Sequence, residues 1–212
     1  MLEKKTIVDL TKVLDDALEI YHDEDYFDPE LVIKPWCSVH DQGFRVSQVA
    51  LGTQTGTHID APAHFVEGGA TLEQLPIEHL LGPYFRIDLD ALRAETIPGD
   101  VLAAYRDEPI LFLASQQKQA SINALFLRAL CQVPAKIWVL SGSVHVLDCD
   151  PLYFHRFIAE QGIYLVEDLD QEAAKQVKPG GELIALPLRL AGVSGAPCRV
   201  VVVQDDIRQQ RI

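Results

Sequence analysis

Apolar residues occur along the chain in short runs that are separated by turn residues. The runs are rich in aliphatic and β-branched side chains and are too short for helices, which is typical of buried strands. The pattern predicts strands over residues 6–10, 45–51, 84–89, 110–114, 137–140, 163–166, 183–188 and 199–203.

Helical periodicity is found in fewer places and predicts helices over residues 121–131, 151–161 and 171–176. The second helix has clear boundary signals, because Asp150 is a good N-cap, Pro151 suits the first helical position and Gly162 can end the helix. Many strands with few helices predict an α/β fold with a large mixed sheet system and not a strictly alternating βαβ fold. No internal repeat or Ser/Gly linker divides the chain, so residues 1–212 are expected to form one domain.

The composition indicates which kinds of partner and which cellular compartment to expect. A net charge of -13 repels phosphate backbones and anionic lipid headgroups, so we expect no nucleic-acid or membrane partner and favour a small-molecule substrate. The chain shows no signal-peptide core and no apolar run near the ~20 residues of a membrane span. Cysteines are far apart in sequence, with no CxxC pair, which is typical of a reduced, cytoplasmic protein. They are Cys37, Cys131, Cys149 and Cys198.

A compact group of metal-ligand residue types lies in the stretch TGTHIDAPAH, residues 55–64. In extended backbone His58 and Asp60 point to the same side, and a bend at Pro62 can bring His64 back toward them. Two imidazoles and a carboxylate are a set that zinc, manganese or iron(II) accepts. The alternative is a polar turn in which the histidines cap nearby backbone groups.

A second source of ligands lies about a hundred residues later. His155 falls on the predicted helix 151–161, and Glu167 follows a strand pattern with the same parity as Ile163 and Leu165. If that side of the strand is buried, the carboxylate needs a metal or a histidine as partner. The alternative is that Glu167 ends the strand at the surface, because glutamate is rarely buried.

These stretches resemble the cyclase-like metal-dependent hydrolase family, whose members include kynurenine formamidase and isatin hydrolase. The family hallmark H-x-G-T-H-x-D-x-P-x-H is matched by QTGTHIDAPAH at every position except the first, which is Gln54. The segments LYFHRFIAEQGIYLVEDL and GELIALPLRLAGVSGAPCRVVVV are similar to the family's histidine helix with its glutamate strand and to its closing strands. The resemblance spans most of the chain from residue 51 onward.

The resemblance implies a β/β/α layered domain of the swivelling type that forms a homodimer or homotetramer. It implies one or two divalent metal ions per chain, zinc or manganese, and hydrolysis of an amide-type C–N bond, in an aryl formamide or a cyclic amide, by metal-activated water. His64 and Glu167 become the candidates for proton transfer. The positions that match the family's metal ligands are His58, Asp60, His64, His155 and Glu167.

Gln54 is the main departure from the hallmark. An amide oxygen is a weaker zinc ligand than imidazole, so three readings follow. Gln54 coordinates a metal in a weakened or mononuclear site, it has left the metal and contacts the substrate, or the protein is a non-catalytic ligand-binding relative. A metal-dependent cyclase or dehydratase is a further alternative. The segment 141–148 also departs, because Ser143 or Val144 stands where relatives carry an acid.

Substrate identity is weakly encoded. Several aromatic residues precede the hallmark, in a stretch whose sequence predicts a loop. They are candidates to cover a flat substrate that contains a ring. The alternative is ordinary packing. The candidates are Tyr21, Tyr26, Phe27, Trp36 and Phe44, of which Trp36 and Phe44 are predicted to contact the substrate.

Overall fold

The structure, a computed structural model, describes residues 5–90 and 96–205. Its strands are β1 Lys5–Asp9, β2 Val32–Cys37, β3 Val46–Ala50, β4 His58–Asp60, β5 Leu81–Asp88, β6 Ile110–Ala114, β7 Gln119–Ile122, β8 Ile137–Leu140, β9 Ser143–Val146, β10 Tyr164–Glu167, β11 Glu182–Pro187 and β12 Gly195–Asp205. Its α-helices are α1 Val39–Gln42, α2 Gly99–Ala103, α3 Ala124–Leu130, α4 Tyr153–Glu160 and α5 Gln171–Ala174. Single turns of 3₁₀ helix span Pro62–His64, Leu72–Gln74 and Ile77–His79.

Seven strands close into a ring. Their order is β12, β11, β5, β6, β8, β10 and β4, and β4 pairs again with β12, while β1 is added to the side of β12. The pairs β5–β6, β6–β8 and β8–β10 are parallel. All the other pairs of the ring, and the pair of β1 with β12, are antiparallel. The ring therefore has a parallel half and an antiparallel half, and the short strand β4 forms one seam between them.

The parallel half is buried on both faces. In β6, Ile110 and Phe112 point into the core inside the ring, and Leu111 and Leu113 point into a second core outside it. Helices α3 and α4 cover this outer core, which includes Phe126 and Phe154 on the helices. Burial on both faces explains why these strands read as continuous apolar runs in the sequence.

The outer side of the antiparallel half is partly exposed among the described residues. Along β12, Val200 and Val202 are buried inside the ring, and Val201 and Val203 alternate outward and are partly exposed. Direct cross-strand partners point to the same face of a sheet, so the outward residues of β1, β5, β11 and β12 lie side by side. This open face consists of Ile7, Leu81, Ile184, Leu186, Val201 and Val203.

Strands β2 and β3 form an arm, residues 32–50, that is separate from the ring. The two strands pair antiparallel with each other and with no other strand of the described residues, and α1 connects them. Both faces of the pair are in water, because Ile33 and Val49 are 50% and 52% exposed and Trp36 is 71% exposed. The arm ends four residues before Gln54, at the start of the hallmark stretch.

The predicted α/β fold with a large mixed sheet system is confirmed, and each of the eight predicted strands overlaps an observed strand. Two helix predictions need correction. The first half-turn of the predicted helix 121–131 belongs to β7, and the helix begins after Asn123, whose side chain caps it. The helix predicted from Pro151 begins at Tyr153, because Asp150 accepts from the Leu152 N–H and forms a turn that precedes the helix. Gly162 ends this helix in the left-handed conformation as predicted.

None of the helices within residues 5–90 and 96–205 combines the length and the apolar character of a membrane span.

Candidate metal centre

Strand β4 brings the hallmark residues to the outer side of the ring. Ile59 points into the inner core, so His58 and Asp60, one residue before and after it, point outward. The register of β10 places Glu167 opposite His58 and Leu165 opposite Asp60. Because paired residues share a face, Glu167 points to the same side as both hallmark residues. As the alternation along the strand predicted, Glu167 lies on the same side of β10 as Leu165, and Leu165 packs in the core that the helices cover.

The three side chains meet at distances that fit a shared cation. His58 Nε2 lies 3.5 Å from Asp60 Oδ1 and 3.6 Å from Glu167 Oε1. One ligand atom from each residue lies within 4.8 Å of the others. These separations are longer than strong hydrogen bonds, whereas two atoms that bind one ion at ~2.1 Å in a tetrahedral site lie ~3.4 Å apart. One imidazole and two carboxylates are donors that zinc and manganese accept, so the residues present fit a divalent ion.

The orientation of His58 is fixed by the backbone. Its Nδ1–H donates to the carbonyl oxygen of Gly56 at 2.7 Å, which leaves Nε2 directed at the two carboxylates. This arrangement sets the tautomer that binds a metal through Nε2. Burial alone would lower the pKa of His58, but the nearby carboxylates of Glu167 and Asp60 raise it to about 9. The metal-free site therefore holds a proton where a cation fits.

Glu167 lies between two histidines. Its Oε2 is 3.1 Å from His155 Nε2, and its side chain keeps 21% of its surface exposed. Burial would raise the pKa of Glu167, but the charge and hydrogen bond of His155 and the nearby His58 lower it well below its usual range. Burial would also lower the pKa of His155, and the Glu167 charge reverses that effect and raises it. The buried Nδ1 of His155 has no hydrogen-bond partner among the described residues.

Gln54 contacts the site through its nitrogen. The Thr53 hydroxyl donates to Gln54 Oε1 at 2.5 Å, and Gln54 Nε2 donates to Asp60 Oδ1 at 3.2 Å. Burial, followed by the Glu167 charge, raises the pKa of Asp60 against the opposing effects of His58, His64 and Gln54. In this orientation the Gln54 amide offers an N–H group to the site, and an N–H group does not bind a metal.

His64 lies apart from the three-residue group. It is exposed at the end of the 3₁₀ helix that follows β4, and its Nδ1 is 3.4 Å from the Ser194 hydroxyl. The Phe65 ring packs edge-on against His64 at 4.4 Å between centroids and also contacts His155 at 5.5 Å. His64 is nevertheless close enough for its charge to act on Asp60. The predicted bend at Pro62 is thus present, and it leaves the His64 ring accessible from solvent.

Some of the predicted site residues lie close together in the structure, and others do not. It brings His58, Asp60 and Glu167 together, with His155 beside Glu167. Trp36 and Phe44 lie on the exposed arm, 71% and 58% exposed, so their contact with a substrate stays a prediction. The segment 141–148 forms β9, which pairs with β7, and contributes no residue to the three-residue group.

Sequence reasoning missed the residues that support the site from β12. Gly195 lies opposite Asp60 in the register, and a Cβ there would be 2.7 Å from the Ile59 carbonyl oxygen and 2.5 Å from Gln54 Nε2. The Ile59 backbone leaves no room for a Cβ at this position, so glycine is needed. The available signal is a glycine close to a predicted strand, because Gly195 lies four residues before the strand predicted over residues 199–203. Ser194, beside His64, has no comparable signal.

Comparison with known proteins agrees with this architecture. The family model named Cyclase matches residues 8–129. Kynurenine formamidase from Polaromonas naphthalenivorans is 28% identical over 208 residues, covering 92% of this chain and 90% of that protein. Kynurenine formamidase from Salinibacter ruber is 29% identical over 175 residues, covering 76% and 81%. Isatin hydrolase A from Labrenzia aggregata, bound to benzyl benzoate, has a TM-score of 0.75 at 19% identity and covers 95% of this chain and 94% of its own. That likeness shows a shared fold.

Proposed function

The chain belongs to the Cyclase family, and from that premise we propose that it is a metal-dependent hydrolase that cleaves an amide-type C–N bond. The observation that carries the proposal is the convergence of His58 Nε2 and the carboxylates of Asp60 and Glu167. These three groups would hold a divalent ion, zinc or manganese. When bound, the ion supplies a water of lowered pKa and polarises a carbonyl oxygen, which is the chemistry that amide hydrolysis needs.

We propose one ion per chain, held by the three-residue group. Gln54 supports this count, because its amide nitrogen donates to Asp60 at 3.2 Å and its oxygen is engaged by Thr53. At the Gln54 position the Asp60 carboxylate thus meets a hydrogen-bond donor and not a further metal ligand. His155 would act on Glu167 through their 3.1 Å contact and hold that carboxylate in place.

His64 is our candidate for proton transfer. Its ring is exposed, is steadied by Phe65 and Ser194, and lies near the Asp60 carboxylate. An imidazole with access to solvent can accept a proton and deliver it to the departing amine nitrogen. Glu167, the other residue considered for this role, is held ionised by two histidines, which favours a ligand over a proton donor.

The substrate class follows from the relatives. Kynurenine formamidases and isatin hydrolase A are named for an aryl formamide and a cyclic amide, so we propose one of these two kinds of amide. The depression beside the site is walled by Phe65, Ile158 and Leu165 and by the ring of His155.

The four cysteines support a reducing compartment. All are free thiols in the structure, and none is paired in a disulfide. Disulfides persist in oxidising environments and are rare in the cytosol. We therefore place the protein in the cytoplasm as part of this proposal.

Turnover tests the proposed reaction directly. The protein is loaded with zinc or manganese and incubated with N-formyl aromatic amines and with isatin, and the products are analysed by mass spectrometry. We expect a product that has gained one water, complete loss of turnover after chelation, and recovery when metal is restored. A product without added water would indicate the cyclase or dehydratase alternative. Absence of turnover in the metal-loaded protein would favour the ligand-binding alternative.

Metal content tests the proposed count. We expect about one ion per chain in the wild type and an increase toward two in Gln54→His, because imidazole binds zinc better than an amide does. Gln54→Leu is the matched control, since leucine has similar size and no ligand atom, and it should keep one ion. Elemental analysis after gel filtration measures all three. Two ions in the wild type, or loss of an ion in Gln54→Leu, would contradict the single-ion site.

A further inference from the structure

Thr57 lies immediately before His58, and its side chain joins parts of the chain that are distant in sequence. The residue is 1% exposed. Its hydroxyl donates to the Asp168 carbonyl oxygen at 2.8 Å and accepts from the Lys12 N–H at 2.9 Å. Both partners are main-chain groups, one in the segment that follows β10 and one in the segment that follows β1. One buried hydroxyl therefore connects three segments.

The Thr57 hydroxyl continues the pairing of β4 with β10 by one step. The ladder ends where His58 lies opposite Glu167, and Thr57 and Asp168 are the next residues on the two sides. The Thr57 carbonyl oxygen serves the other neighbouring strand, because it accepts from the Cys198 N–H of β12 at 2.9 Å. Within the part of the chain that the structure describes, the hydroxyl makes the only hydrogen bond between the segment before β4 and the segment after β10.

The segment after β1 fixes the direction of this hydroxyl. A hydroxyl group rotates to suit its partners, and because the Lys12 N–H donates to its oxygen, its hydrogen is left for the Asp168 carbonyl. The same segment packs on the turn before β4, where a Cβ at Gly56 would be 2.5 Å from Leu14 Cδ2. The Gly56 carbonyl oxygen is the group that orients His58. The segment after β1 thus supports the start of β4 at two adjacent residues.

The bond acts on the two metal-ligand residues that lie beside it. His58 and Glu167 form the last pair of the ladder, and His58 Nε2 is 3.6 Å from Glu167 Oε1. The ends of such elements open at little cost in free energy unless contacts hold them. Groups that hold metal ligands in place from outside typically change metal affinity 10–100-fold. A clamp next to this pair therefore affects how well the two ligand atoms are placed before an ion arrives.

From this placement we infer that Thr57 is a positioning residue for the metal centre. Its hydroxyl holds the start of β4 against the end of β10 and so sets the separation of His58 and Glu167. Thr57 supplies no ligand atom to the three-residue group. The inference rests on the proposed metal centre and is independent of which amide is cleaved. Valine keeps the shape of Thr57 and lacks the hydroxyl, whereas serine keeps the hydroxyl.

Zinc affinity tests this role without any measurement of turnover. The full chain is stripped of metal and titrated with zinc in competition with a chromophoric chelator at neutral pH, and urea unfolding of the stripped proteins is followed in parallel. We expect Thr57→Val to bind zinc ~10–100-fold more weakly than the wild type. Thr57→Ser should bind zinc as tightly as the wild type, because it can make the same two hydrogen bonds.

Thr11→Val is the matched control. The Thr11 hydroxyl also donates one main-chain hydrogen bond and accepts one, at 3.2 and 2.9 Å, and both are made with Val200. Val200 lies on β12 beyond the pairing of that strand with β4. This variant should lose stability in urea as Thr57→Val does, but it should keep the zinc affinity of the wild type.

Three results would overturn the inference alone. They are wild-type affinity in Thr57→Val, an equal loss of affinity in Thr11→Val, which would indicate a general loosening of the fold, and a Thr57→Ser variant as weak as Thr57→Val, which would assign the effect to the methyl group. A wild type that binds no zinc would overturn the proposed metal centre together with the inference, so the two failures are distinguishable.

Discussion

Replacing Asp60 with asparagine is expected to lower turnover at least ~100-fold without unfolding the protein. Asparagine keeps the size of the side chain but loses the charge, and loss of a ligand should exceed the 10–100-fold effect of removing a residue that only supports one. Burial and the charge of Glu167 raise the pKa of Asp60, so its ionised form is costly when no cation is bound. The metal-free variant should therefore be as stable as the metal-free wild type, or more stable.

The measurements are turnover, metal content and urea unfolding of wild type and variant. Asp168→Asn is the matched control, because Asp168 directly follows Glu167 but is 40% exposed and pairs with Lys12. Its backbone has a φ of 57°, a conformation that asparagine tolerates, so this variant should keep its activity. A fully active Asp60→Asn enzyme would remove Asp60 from the metal centre.

The stability of the metal-free protein is expected to fall between pH 6.5 and pH 9. The pKa of His58 is about 9 in the folded chain, against 6.5 for an unperturbed histidine. A group with a raised pKa contributes stability that is complete below its unfolded pKa and disappears as pH rises through its folded pKa. A difference of this size corresponds to on the order of 3 kcal/mol, and the raised pKa of His155 acts in the same direction.

Metal reverses this dependence. Binding requires neutral imidazole, so affinity rises with pH as the competing proton on His58 is lost. The difference in thermal midpoint between metal-loaded and chelated protein should therefore widen from pH 6.5 to pH 9. On the acid side the lowered pKa of Glu167 means that its contribution is present above about pH 4.5 and is lost at lower pH. In His58→Gln the widening should disappear; parallel curves for the wild type would show that His58 does not titrate with the site.

The strands of the ring could be predicted because they are buried on one or both faces. Runs such as residues 110–114 contain only apolar side chains, and that pattern has few other interpretations. Strand β4 could not be assigned from the pattern because His58, Ile59 and Asp60 contain a single apolar residue, and their burial depends on two distant strands. Its long-range partners decide its structure, and local sequence does not contain them.

The candidate site was predictable to the extent that its residues are unusual in strands. Three metal-ligand types within residues 55–64, and a glutamate with core parity, identify His58, Asp60 and Glu167. The separation of His64 from this group could not be predicted, because it depends on how the turn after Pro62 orients the ring. The position of Gln54 also required the structure, since the orientation of its amide depends on the neighbouring Thr53 hydroxyl.

The seam at β4 also has a consequence for the synthesis of the protein. His58 pairs with Glu167 and with Pro197, each more than a hundred residues later in the chain. A ribosome makes the hallmark early, but the strands that hold it appear only near the end of translation. Contacts between such distant segments form slowly and late. The group of His58, Asp60 and Glu167 can therefore assemble only after most of the chain has been synthesised.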